Sequence, residues 1–69
     1  MTKQEMLWIA TKYHDKGYSI EAMYYSDDCY HLGGEEGDKI KDEIAEYMVE
    51  INEIGTTAFY EKYKDFKLY

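Results

Sequence analysis

The sequence predicts a small α+β domain, ordered as helix, β-hairpin and helix, and it allows a short C-terminal helix. Three observations lead to this fold class. Apolar residues recur at helical spacing near the N-terminus and again over residues 39–54. The segment between them, residues 18–32, is rich in tyrosine and alternates in a way typical of strands. Glycines separate these segments, and we expect residues 1–69 to form one domain with a small core.

The first helix is predicted at about residues 3–16. Thr2 and Glu5 have the spacing of a capping box, in which each residue bonds to the backbone of the other. Apolar residues then follow Met6 at three, four and seven positions, the period of an amphipathic helix. Gly17 suits the left-handed position just beyond the last helical turn.

Residues 18–32 are predicted to form the hairpin. Alternate residues of its first strand would share one face, the SDD sequence at residues 26–28 would form the turn, and residues 29–32 would return. The same segment also allows a short helix capped by Ser19, which would give a helix, a glycine turn and another helix.

The second helix is predicted at about residues 39–54, after a glycine-rich loop and with Asp38 as its N-cap. Its apolar residues are spaced alternately four and three positions apart, which indicates a single apolar stripe. The stripe consists of Ile40, Ile44, Tyr47, Ile51 and Ile54. Gly55 is expected to end this helix.

The C-terminal segment favours a third, short helix. Phe59, Tyr63 and Phe66 stand at helical spacing, and either Thr56 or Thr57 is expected to cap the helix. A strand is the alternative for this segment.

Part of the apolar stripe is a candidate homodimer interface, because the stripe is long for a chain of this size. A two-fold dimer would place two acidic faces side by side. Alternatively, the first helix, the hairpin and the C-terminal segment cover the stripe. The candidate interface residues are Ile44, Tyr47, Met48 and Ile51.

The charge distribution argues against direct binding of nucleic acid or of anionic membranes. The formal net charge is −7, and the chain has no arginine. Residues 19–54 hold eleven acids and two lysines, whereas each flanking segment holds three lysines and two acids. Cys29 is the only cysteine and no apolar run is long enough to span a bilayer, so we expect a cytoplasmic protein without disulfides.

Residues 27–31 hold the side chains that most resemble a chemical site. Cys29 and His31 would point to the same side of a strand, but neighbouring carboxylates disfavour a reactive thiolate. No spacing typical of zinc or calcium sites is present. We therefore expect no enzyme, no metal site and no cofactor; a metal-dependent activity at Asp28, Cys29 and His31 is kept as an alternative.

The acidic residues of the second helix are the main candidate for function. Glu43, Glu46, Glu50 and Glu53 are spaced three, four and three positions apart, so they form one stripe, with neighbours about 4.5–6 Å apart along the axis. That separation is comparable with the roughly 6–7 Å between phosphates along a DNA strand. The stripe is extended by Asp42, Asp38, Glu35 and Glu36, and at the hairpin tip by Asp27 and Asp28.

Like charges at this spacing cost a few tenths of a kcal/mol per pair. Contact with a basic partner would offset that cost, although a solvated acidic face that only aids solubility would have the same pattern.

The small size, the charge asymmetry and the carboxylate run from Glu35 to Glu53 resemble a class of small acidic proteins encoded by bacteriophages. These proteins imitate nucleic acid and block DNA-binding proteins of the host. The resemblance implies a non-enzymatic inhibitor in the host cytoplasm, whose partner is a basic DNA-binding protein such as a histone-like nucleoid protein. The alternative is an adaptor or antitoxin-like module that binds through a surface rich in tyrosine and isoleucine.

Overall fold

The computed structural model describes residues 1–68, and it is mostly helical. Four helices follow one another along the chain: α1 (Lys3–Asp15), α2 (Ile20–Tyr24), α3 (Gly34–Ile54) and α4 (Thr56–Lys62). A 3₁₀ turn, Lys64–Phe66, follows α4. Residues 1–68 contain no strand, so the predicted α+β class and its β-hairpin are wrong.

The hairpin prediction is wrong because backbone N–H groups of residues 18–32 form hydrogen bonds to acceptors three or four residues away, and not to a neighbouring strand. The Ser19 hydroxyl accepts a 3.1 Å hydrogen bond from the backbone N–H of Ala22 and so caps α2. Met23 is fully buried beneath this short helix. After α2, backbone N–H groups bond to carbonyls three residues earlier, as Cys29 does to Ser26 at 3.0 Å. The capped-helix alternative is the correct one.

Helix α1 begins as the sequence predicts. The Glu5 backbone N–H donates to the Thr2 hydroxyl at 3.1 Å, and the Thr2 backbone N–H donates to the Glu5 carboxylate at 3.0 Å, which completes the capping box. Gly17 follows the helix with a φ of +80°, a conformation that glycine adopts without a side-chain penalty.

Helix α3 begins earlier than predicted. It starts at Gly34 with Gly33 as N-cap, so Asp38 lies inside the helix and the predicted loop and Asp38 cap are wrong. The backbone just before the helix lies close against its first turns: a Cβ added at Gly37 would lie 2.5 Å from the carbonyl carbon of Leu32, so only glycine allows this approach. Glu35 lies in the first turn, where its negative charge interacts favourably with the positive end of the helix dipole.

Helix α4 confirms the predicted C-terminal helix, although not its cap. The helix begins at Thr56 with Gly55 before it, and no side chain bonds to its first turn. Phe59 is fully buried, and its ring lies 4.8 Å from that of Tyr63, so α4 packs through its aromatic residues.

Helices α1 and α3 pack side by side and run in the same direction. Met1 and Gly37 line one cleft at the start of α3, while the His14 ring bonds to Asn52 at 2.8 Å near its end. The parallel order requires a crossover, which α2 and the turn after it supply: the Tyr24 hydroxyl donates to Asp42 of α3 at 3.0 Å.

Helix α4 packs against α3 and runs in the direction opposite to both α3 and α1. From within α4, the Tyr60 hydroxyl donates to Asp15 at the end of α1 at 3.0 Å. Beyond its end, the Lys3 ammonium lies 5.4 Å from the centre of the Phe66 ring. Helix α3 is therefore flanked by α1, by α4 and by the α2 segment, and only one side of it faces solvent.

The core lies between these elements and takes up most of the apolar stripe of α3. Ile44, Met48 and Ile51 are almost fully buried, and Tyr47 is half-buried against Phe59. The chain's own helices thus cover the side chains predicted to form a dimer interface.

None of the helices within residues 1–68 is long and apolar enough to cross a membrane.

Candidate functional site

The solvent side of α3 carries an acidic face. At about 100° per residue, four of its carboxylates fall within about 40° of one another around the helix, opposite the buried Ile44. A fifth, Glu43, lies at the edge toward α4. All five are exposed. We define the acidic face as Glu35, Asp42, Glu43, Glu46 and Glu53.

The acidic face is long and rigid, but it is not uniform. From Glu35 to Glu53 it spans about 27 Å along one helix. Lys39 is exposed on the same side, and Val49, which is 43% exposed, lies beside it. Within residues 1–68, Glu43, Glu46 and Glu53 form no ion pair. These three exposed carboxylates therefore have no lysine paired with them within residues 1–68.

Glu50, the fourth residue of the predicted stripe, is engaged inside the molecule. Its carboxylate accepts hydrogen bonds from the Lys62 ammonium and, at 2.9 Å, from the Tyr63 hydroxyl. The bond from Lys62 and then that from Tyr63 hold the pKa of Glu50 below its ordinary value. Glu50 therefore fastens the end of α4 to α3 and is not free to meet a partner.

Asp28 is also engaged, and it lies away from the acidic face. Its carboxylate accepts a 2.6 Å hydrogen bond from the Tyr13 hydroxyl and a 2.9 Å bond from the Lys12 ammonium. These bonds, that from Tyr13 first, lower the pKa of Asp28. Both donors belong to α1, which packs against the opposite side of α3. The neighbouring Asp27 is exposed.

The other predicted contact residues are at or near the start of the acidic face. Asp38 is exposed and lies 3.5 Å from the Lys41 ammonium, a surface pair that contributes little to stability. Glu36 is exposed beside the cleft that Met1 lines. Asp42 accepts the hydrogen bond from Tyr24, and its own carboxylate stays exposed.

Residues 27–31 give the metal-dependent alternative no support. Cys29 is fully buried with its sulfur 3.6 Å from that of Met23, and burial raises the pKa of the thiol. His31 is exposed and stacks edge-on against Tyr30. The part of the chain that the structure describes has no group of three or more His, Cys, Asp or Glu side chains placed to hold a metal ion.

Comparison with protein-family models, with curated proteins and with solved structures found no match.

The structure also contains a cleft that the sequence did not predict. It lies between the end of α1 and the turn after α2, and its volume is about 310 Å³. We call it the aromatic cleft, because three tyrosines line it together with two lysines and two aspartates. These residues are Lys12, Tyr13, Lys16, Tyr18, Tyr25, Asp27 and Asp28. The spacing of Lys12 and Lys16 places them on one side of α1, but only the turn after α2 brings the aspartates to them.

Proposed function

We propose that this protein is a non-enzymatic inhibitor whose acidic face occupies the basic DNA-binding surface of another protein. A histone-like nucleoid protein is the kind of partner that we expect. The observation that supports this proposal is the exposed acidic face on α3, whose five carboxylates form no ion pair within residues 1–68.

The physical argument concerns both the rate of encounter and the geometry. A row of charges on one helix keeps its spacing without a cost in chain entropy, since α3 is fastened on three sides. Lysines and arginines of a basic surface would be attracted over a distance of about 10 Å at moderate salt. Contact would also relieve the repulsion between neighbouring glutamates.

The test is charge reversal on the acidic face with a matched control. The variant E43K/E46K/E53K changes the net charge by the same amount as E21K/E61K/D65K, whose sites are exposed and lie outside this face. Glu50 is left intact, because its loss would also loosen α4. Both variants are checked for helical circular dichroism before use.

We expect the unchanged protein to capture a DNA-binding protein from bacterial lysate at low salt and to release it at high salt. With that purified partner, the acidic-face variant should lose affinity by at least about tenfold, which corresponds to about 1.4 kcal/mol. The control variant should retain affinity and should still displace DNA from the partner. Equal binding by both variants would show that the acidic face is not the contact surface.

The adaptor alternative has its own supporting observation. Trp8, Tyr25 and Tyr30 are 44%, 79% and 72% exposed, and large aromatic residues are the side chains most often central to protein interfaces. Binding through them would depend weakly on salt. A partner that is retained at high salt and lost after Trp8→Ala would favour this function over the inhibitor.

A further inference from the structure

We propose that the aromatic cleft is a binding site for one cationic side chain, a guanidinium or an alkylammonium group, of a basic partner. This proposal rests on the proposed function, because it assumes that the partner is basic. It adds a second site, on a different side of the molecule from the acidic face.

The size of the cleft suits a single side chain. At about 310 Å³ it is at the lower end of the range of roughly 300–1,000 Å³ typical of small-ligand sites. Its walls are aromatic: the ring centres of Tyr13 and Tyr18 are 4.9 Å apart and tilted by 50°. Tyr18 is 43% exposed, and Tyr25 is more exposed still, so ring surface is open to an incoming group.

The rings at this site already attract cations of the chain itself. The ammonium groups of Lys12 and Lys16 lie 5.3 Å and 5.7 Å from the centre of the Tyr13 ring, within the range of cation–π attraction. Lys12 is held there by Asp28 as well. Within residues 1–68 no lysine lies over the rings of Tyr18 or Tyr25, which leaves those two rings for a partner's cation.

The cleft is lined by two lysines and two aspartates, so its formal charges balance, and the open ring surface together with Asp27 is what favours a cation over an anion. Asp28 compensates Lys12, whereas Asp27 is exposed and forms no ion pair within residues 1–68. The cleft lies at the C-terminal end of α1, where the backbone carbonyls give a negative partial charge. Lys16 is exposed, and its long side chain can move into solvent when another cation arrives.

The experiment is an NMR titration of the whole protein with capped amino acids. N-acetylarginine amide and N-acetyllysine amide supply the two kinds of cation, and N-acetylcitrulline amide supplies a neutral group of nearly the same shape as arginine. We expect the two cations to shift the resonances of Tyr18, Tyr25 and Asp27 in a saturable way, and citrulline to leave them unchanged. Equal shifts with citrulline, or no shift with either cation, would overturn the proposal.

Two variants test the cleft directly. Tyr25→Ala and Asp27→Asn should each weaken binding of the arginine probe about fivefold, the size expected for one exposed cation–π or ionic contact. Tyr30→Ala is the matched control, because Tyr30 is exposed in the same turn but does not line the cleft. If Tyr25→Ala and Tyr30→Ala bind the probe equally well, the aromatic cleft is not the site.

The acidic-face variant E43K/E46K/E53K separates this proposal from the proposed function. It should bind the arginine probe as the unchanged protein does. If that variant loses probe binding while Asp27→Asn keeps it, the probe binds at the acidic face. This result would overturn the proposed cleft site and would leave the proposed function standing. Conversely, a partner that still binds the acidic-face variant would overturn the inhibitor function, while the probe result at the cleft would stand.

Discussion

Asp28 and Glu50 hold the flanking elements of the chain to its centre by the same arrangement. Each carboxylate accepts one hydrogen bond from a lysine and one from a tyrosine, and in each case both donors lie in a flanking segment. The partners of Asp28 are 15 and 16 positions away in the sequence. Sequence reasoning placed both acids on a partner-binding surface, because no local pattern indicates pairing over that distance.

Replacing Asp28 by asparagine should destabilise the protein by about 1–2 kcal/mol, because the variant loses two charge-assisted hydrogen bonds at a side chain that is mostly covered. The measurement is urea denaturation at neutral pH. Asp27→Asn is the matched control: it removes the same charge from an exposed neighbour, and it should change the free energy of unfolding by less than about 0.5 kcal/mol. Equal effects of the two variants would contradict the role of Asp28.

The same contact determines a dependence on pH. Because the pKa of Asp28 is lower in the folded chain than in the unfolded one, its contribution is fully present above about pH 3.9, the ordinary value for aspartate. The contribution is lost as the pH falls through the folded pKa. Below about pH 4 the unchanged protein should therefore lose stability more steeply than Asp28→Asn does.

At the scale of the elements, the boundary with a clear side-chain cap was predicted from the sequence, whereas the start of α3 and the helical form of residues 18–32 were not. Thr2 and Glu5 determine the start of α1 through their own hydrogen bonds, so that boundary could be read from the sequence. The start of α3 could not, since its first turn contains two glycines and depends on the approach of Gly37 to Leu32. The spacing of tyrosines in residues 18–32 suits a strand as well as a helix. The helical form is favoured because it buries Met23 against the other helices.

Gly37→Ala tests the contact that places α3. At an exposed helical position this substitution would stabilise the helix by up to about 1 kcal/mol. Here the new methyl group would meet the Leu32 backbone, and we expect a loss of about 1–3 kcal/mol in the free energy of unfolding. Gly33→Ala is the control, because nothing lies within 4 Å of its added Cβ and its φ is negative. It should change stability by less than about 1 kcal/mol. Stabilisation by Gly37→Ala, measured by thermal denaturation, would refute the contact.

At the scale of the whole molecule, the uneven charge of the sequence serves two purposes. Some central carboxylates pair with lysines of the flanking segments and close the fold, as Asp28 and Glu50 do. Others, such as Glu46 and Glu53, stay exposed on α3 without an ion pair within residues 1–68. The sequence predicted the exposed stripe from its helical spacing, but its division into paired and unpaired acids depends on how the helices pack.

If the unpaired acids are kept for a partner, their removal should stabilise the isolated protein. The variant E43Q/E46Q/E53Q should raise the free energy of unfolding by about 0.5–1 kcal/mol at low salt, since it removes repulsion between neighbours on one helix. The gain should shrink at about 1 M salt, where charges are screened within about 3 Å. The control E21Q/E61Q/D65N removes as many charges from scattered sites and should give no comparable gain. Destabilisation of the first variant would contradict the repulsion.

Because Cys29 is buried, the reactivity of its thiol reports local opening of the protein around it. Its sulfur has no accessible surface and lies where the turn after α2 meets the core. A thiol-specific reagent can reach it only when that junction separates, and burial further suppresses the reactive thiolate form. Labelling of the native protein over time therefore measures how often the crossover between α1 and α3 lifts away, with no introduced probe.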